Sequence, residues 1–276
     1  MPYINSGDIR IYYEEKGAGE PLVFLHGFSL DRRMWRGQID YFSKKYRVIT
    51  PDARGHGQSD APDSGYSREN RVSDLLALAD KLKLERFHLI GLSMGGGDAL
   101  RFAIDFQERL KTLTLAGSTA AGWKPTVQFR NFPLDEKGRF GQLRTGDLAR
   151  QKGIDEVKRQ WIDVTMANYE KRNPELKKFL TEIMLDFSGK PWTDPKAGKY
   201  EKRDDVRLAA RIRIPTLIIV GQRDIEYRPL AVKLNEIILD SRLEIIKNAG
   251  HMVNLEAPEI FNKHLEDFLL ENESKK

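Results

Sequence analysis

Short apolar runs rich in branched residues recur along the chain at 21–25, 46–50, 87–90, 113–116, 215–220 and 243–246. Runs of this kind predict strands buried on both faces, the signature of a parallel sheet. Between most of them lie segments with helical spacing, at 35–43, 68–82, 94–106, 228–239 and 258–270. Strict alternation at 8–14, followed by the turn signal of 16–19, predicts a strand with one exposed face at an antiparallel edge. Strand and helix in alternation define an α/β protein whose sheet is covered by helices on both faces.

One interval breaks the alternation. From 119 to 205 no buried strand is visible, only two helical segments at 155–169 and 174–187. The flanking stretches 119–147 and 189–202 are rich in Gly, Pro and aromatic residues and read as loops packed by their own rings. The chain therefore divides into a core of 1–118 and 206–276 and an inserted helical cap of 119–205. No internal repeat is visible, and 271–276 read as a frayed tail.

Composition changes this picture little. The 276 residues are 40% hydrophobic and 32% charged, and 46 basic against 41 acidic side chains give a formal charge of +5. Both signs are interspersed and the basic stretches are short, so nucleic acid is not an expected partner. The chain has no cysteine, which excludes disulfides, thiolate zinc sites and a cysteine nucleophile. No signal-peptide pattern opens the sequence, and no apolar stretch approaches the roughly 18 residues of a membrane span. The expectation is a cytoplasmic protein without membrane contact.

The chemistry concentrates at Gly91-Leu92-Ser93-Met94-Gly95, placed directly after one predicted strand and before a predicted helix. A serine on such a turn is held in a strained backbone conformation, and flanking glycines remove the Cβ atoms that would collide there. The helix N-terminus adds free N–H groups beside the hydroxyl. Serine needs a base to become a nucleophile, and the chain has five histidines. His26 and His56 sit in glycine-rich loops, His88 opens a strand and His264 lies in the last helix, which leaves His251, on a loop just past the last strand. The orienting acid should follow another strand, between Ser93 and His251 in the chain. Asp224 fits after 216–220, with Glu226 as competitor. A tetrahedral oxyanion needs backbone donors, and the Met94 N–H and the Phe28 N–H, after strand 21–25, are the candidates.

Taken together, His26-Gly27-Phe28, the segment 52–59 (Asp-Ala-Arg-Gly-His-Gly-Gln-Ser), Gly91-Leu92-Ser93-Met94-Gly95-Gly96 and Ala249-Gly250-His251 resemble the α/β-hydrolase superfamily. Within it the chain is similar to the esterase, enol-lactonase and cofactor-free haloperoxidase or perhydrolase group. The resemblance implies a mostly parallel eight-stranded sheet, a helical cap and hydrolysis of carboxylic esters through an acyl-enzyme, with no metal or cofactor. It assigns no catalytic role to Asp52 or His56. A serine at the elbow sets the chain apart from relatives that use aspartate there. Lactone opening, and peroxide in place of water, are alternatives on the same residues. A non-catalytic ligand-binding receptor would be marked by a lost triad member, and none is lost. Trp123, Phe129, Phe132, Phe140, Trp161, Phe187 and Trp192 are candidates to line a pocket for a small ester substrate, or else to form the core of the cap.

Overall fold

The computed structural model describes residues 2–123, 142–167, 169, 172–195 and 203–273, with the side chains of 142–145 excepted. Eight strands form one sheet: β1 (Tyr3–Ser6), β2 (Ile9–Lys16), β3 (Pro21–Leu25), β4 (Arg47–Pro51), β5 (Phe87–Leu92), β6 (Leu110–Ala116), β7 (Thr216–Gly221) and β8 (Ser241–Ile246). Their spatial order is β1-β2-β4-β3-β5-β6-β7-β8. β1 pairs antiparallel with β2, and β2 with β4; every other pairing is parallel. The edge position expected for 8–14 belongs to β1, with β2 one place inside. β1 escapes a pattern search because only Ile4 among its four residues is buried.

The core helices are α1 (Arg36–Phe42), α2 (Arg68–Lys81) and α3 (Met94–Phe106) in the first half of the chain. The β6–β7 connection carries α4 (Gln142–Lys152), α5 (Ile154–Met166), α6 (Pro174–Asp186), α7 (Lys190–Thr193) and α8 (Asp205–Leu208). After β7 come α9 (Arg228–Ile237), the short α10 (Val253–Glu256) and α11 (Pro258–Glu273). The connection is closed at its base, where the N–H groups of Asp205 and Val206 both donate to the Ala121 carbonyl, at 2.9 and 3.2 Å.

Side chains alternate between the two faces of each strand, so neighbours in sequence serve different cores. Val23, Leu89, Ile218 and Val220 pack with α2, α3 and α9 through Leu75, Leu100 and Leu234. Leu22, Phe24, Ile90, Leu217 and Ile219 pack with α1 and α11 through Phe42, Phe261 and Leu265. That second core runs on into α5 and α6 through Ile162, Met166, Leu180 and Ile183. Burying one such side chain contributes about 1.5–3 kcal/mol, and a sheet covered on both faces leaves the ends of its strands open.

Candidate active site

β5 ends at the buried Leu92 and α3 begins at Met94, so Ser93 alone makes the turn. Its φ of 56° and ψ of −112° lie in a region costing roughly 1–3 kcal/mol for a residue with a side chain. Tight packing imposes the cost. A Cβ on Gly91 would overlap the Gly95 carbonyl, and one on Gly95 would overlap the Leu25 carbonyl. The backbone of Ser93 is tied on both sides: its N–H donates to Ala116 at 2.9 Å, and its carbonyl accepts from the N–H groups of Gly97 and Thr119 at 3.0 and 3.1 Å. With the main chain fixed, Ser93 is held at the start of α3 and keeps 9% of its surface exposed.

Asp224 follows β7 and is buried. Its Oδ2 lies 2.8 Å from His251 Nδ1, and its Oδ1 accepts from the Tyr227 N–H at 3.2 Å. Of the two acidic candidates, Asp224 and not Glu226 holds the histidine. The carboxylate accepts the Nδ1 proton, which leaves Nε2 with a free lone pair, the basic tautomer. Burial lowers the His251 pKa, but the negative charge and hydrogen bond of Asp224, reinforced by Glu226 and Glu256, raise it further, for a net rise. Glu226 is pushed up to about 7, mainly by its own burial. The Tyr227 ring stacks on the imidazole at 4.7 Å and 28°. Gly117, next after Ala116, backs the pair: a Cβ there would stand 3.2 Å from both Asp224 Oδ2 and His251 Nδ1. The β6 terminus thus touches Ser93 through Ala116 and the histidine through Gly117.

The loop after β3, closed by a 3.3 Å bond from the Leu30 N–H to the Gly27 carbonyl, comes against the serine, where a Cβ on Gly27 would stand 3.6 Å from Ser93 Cβ. His26 is a strut within it. Its Nε2 accepts from the Ala53 N–H at 2.9 Å, so Nδ1 carries the proton it donates to the Gly27 carbonyl at 2.8 Å. Neither the Phe28 N–H nor the Met94 N–H donates to another described residue. Asp52 is likewise structural, accepting from the N–H groups of Arg32 and Gln58, each at 2.9 Å, and pairing with the Arg32 guanidinium at 2.8 Å.

The aromatic candidates fall into three groups. Trp161, Phe187 and Trp192 converge on Phe28, with ring centroids 5.8, 5.3 and 6.1 Å from it in edge-to-face arrangement. Trp123 packs instead against the core formed by α2, α3 and α9. Phe129, Phe132 and Phe140 lie outside the described residues. Sequence reasoning did not single out Glu256, Tyr169 or Ser29. Glu256 accepts from the N–H groups on both sides of His251, Gly250 at 2.8 Å and Met252 at 3.2 Å. Its spacing of five from His251 is a signal only once the loop is known to fold back. Among the described residues, one cluster could ligate a metal: Glu20, His88 and Glu273, with ligand atoms within 4.8 Å. Lys111 at 2.6 Å from Glu20 and the Tyr46 hydroxyl at 2.7 Å from Glu273 already engage those carboxylates, and His88 stands near the start of β5, away from Ser93.

A family model described as the alpha/beta hydrolase fold matches residues 20–258. The chain belongs to the α/β-hydrolase fold family. As an α/β hydrolase it is similar to a putative 2-succinyl-6-hydroxy-2,4-cyclohexadiene-1-carboxylate synthase of Bacillus subtilis, 29% identical, with 96% of each chain covered. It is 31% identical to a putative non-heme chloroperoxidase of Synechocystis, over 98% of this chain and 100% of that one. Among solved structures, a thermophilic esterase from Thermogutta terrifontis superposes with a TM-score of 0.82 at 28% identity, covering 96% of this α/β hydrolase and 94% of the esterase.

Proposed function

We propose that this α/β hydrolase cleaves carboxylic esters of small molecules through a serine acyl-enzyme. Ser93 is the nucleophile, His251 the general base and Asp224 the residue that orients the histidine. The observation that carries this reading is the 2.8 Å bond from Asp224 to His251 Nδ1, which leaves Nε2 as the base at the sheet end where Ser93 is fixed. In the first step Ser93 Oγ attacks the ester carbonyl while Nε2 takes the hydroxyl proton, and Asp224 stabilises the imidazolium. The oxyanion is received by the N–H groups of Phe28 and Met94, each worth about 2.7–4 kcal/mol by analogy with a measured protease case. The tetrahedral intermediate collapses as His251 returns the proton to the leaving alcohol. Water, deprotonated by the same histidine, then releases the acid. Residues 119–205 serve as the cap over this site, joined to the core of 1–118 and 206–276.

Replacing Ser93 with Ala should abolish turnover of p-nitrophenyl acetate and labelling by a fluorophosphonate probe; undiminished turnover in that variant would refute the reading. The likeness to a protein named a putative chloroperoxidase motivates a second use of the same acyl-enzyme, with peroxide replacing water to give a peracid. Partition of the acyl group between water and added peroxide measures it.

A further inference from the structure

We infer that α5 and its exit turn hold the oxyanion loop in register with the histidine loop, making Trp161 and Tyr169 positioning residues for the ester hydrolysis proposed above, on which this inference rests. The two residues leave one element in two directions. Trp161 Nε1–H donates to Ser29 Oγ at 2.8 Å. Ser29 is fully buried and has a φ of 59°, and it directly follows Phe28, the proposed oxyanion donor. The Trp161 ring also meets the Phe28 ring edge to face at 5.8 Å. One tryptophan thus grips the side chains of both Phe28, which carries the donor N–H, and Ser29 directly after it.

Eight residues on, the Tyr169 hydroxyl donates to Glu256 Oε1 at 2.6 Å. Glu256 is the carboxylate that gathers the N–H groups flanking His251. Tyr169 is itself held in a closed turn, its N–H donating to Met166 at 2.9 Å and its carbonyl accepting from Arg172 and Asn173 at 3.1 and 2.8 Å. Between the two contacts, Ile162 and Met166 are buried in the core shared with α6, so the element cannot slide without breaking apolar packing. The β6–β7 connection is by this inference part of the catalytic geometry and more than a cover over the pocket.

The test begins with the unaltered chain and Ser93→Ala on p-nitrophenyl acetate and the fluorophosphonate; loss of both signals in Ser93→Ala supports the underlying reading, and survival of turnover there refutes that reading and the positioning role with it, whereas the variants below refute the positioning role alone. Trp161→Phe removes one N–H and keeps an aromatic ring; Ser29→Ala removes the matching acceptor. A displaced oxyanion donor should lower kcat by about tenfold to a hundredfold, with KM within about twofold and fluorophosphonate labelling slowed in parallel. The double variant should fall no further than either single one, because both remove the same bond. Tyr169→Phe should lower kcat severalfold with KM unchanged. The inference is overturned if kcat is unchanged in Trp161→Phe and Ser29→Ala, if only KM rises, if the two losses multiply, or if Tyr169→Phe keeps full kcat. Ser29→Ala, a small change on the core side, keeps the test open should Trp161→Phe not fold.

Discussion

At the scale of single residues, the charges around His251 set the protonation of the proposed base. Four groups face the imidazole or its loop: Asp224 and Glu226 from the β7–α9 connection, Tyr227 stacked on the ring, and Glu256 from α10. In the proposed mechanism the base must be neutral to accept the Ser93 proton, so kcat/KM should rise with pH through the His251 pKa, which is raised above 6.5. Glu226, which burial pushes up to about 7, contributes to that rise in its ionised form. Removing the charge favours the neutral imidazole. Glu226→Gln should therefore move the acidic limb of the kcat/KM profile to lower pH, while Asp224 still orients the ring. A limb that stays in place or moves upward would show that Glu226 does not act on the base. This pair also shows the reach of sequence: two carboxylates two positions apart are equal on chain order, and only the hydrogen bond separates them.

At the scale of elements, the elbow is the unit that sequence describes best, because its geometry is set within five residues. Gly91 and Gly95 are needed where β5, α3 and the end of β3 meet at van der Waals distance. A methyl at Gly95 must push α3 away from the Leu25 and His26 carbonyls. Gly95→Ala should destabilise the fold by about 1–3 kcal/mol, as overpacking does. It should appear as a lower urea midpoint with an unchanged slope, and a midpoint equal to that of the unaltered chain would contradict the packing argument. The inserted helices were less legible. Helices at 155–169 and 174–187 correspond to α5 and α6, whose apolar faces recur at helical spacing. α4 occupies residues inside and just beyond the stretch read as loop. Its sequence carries Gly146, which weakens the helical signal, yet Gly146 is where α4 comes against the Trp192 carbonyl of α7, 2.6 Å from where a Cβ would be.

For the whole molecule, the β6–β7 connection is clamped where it leaves and rejoins the sheet. Asp205, buried completely, pairs with Arg101 of α3 at 2.7 Å and with Arg203 at 3.1 Å. Arg101 is also almost wholly buried and reaches Glu69 of α2 at 2.8 Å. Removing the Asp205 charge leaves the buried Arg101 with a more exposed partner in Glu69, and breaking a buried pair costs about 3–5 kcal/mol. Asp205→Asn should lower unfolding stability by that amount in a denaturant titration, and a loss below about 1 kcal/mol would place this network among weak surface pairs. No helix among the described residues is long and apolar enough to cross a membrane.

Sequence alone determined what is local. Alternating apolar runs and helical spacing specify a two-sided parallel sheet, because strand and helix periods are written into consecutive residues. Gly-x-Ser-x-Gly between strand and helix marks Ser93, because the strain and the glycines that relieve it are neighbours in the chain. Tertiary structure decided what is distant. Asp224 finds His251 across 27 positions, Tyr169 finds Glu256 across 87 and Trp161 finds Ser29 across 132. No periodicity encodes such pairs. They exist because burial of apolar side chains on β3, α5 and β7 brings polar groups together at the carboxyl ends of the strands, where most buried donors meet an acceptor.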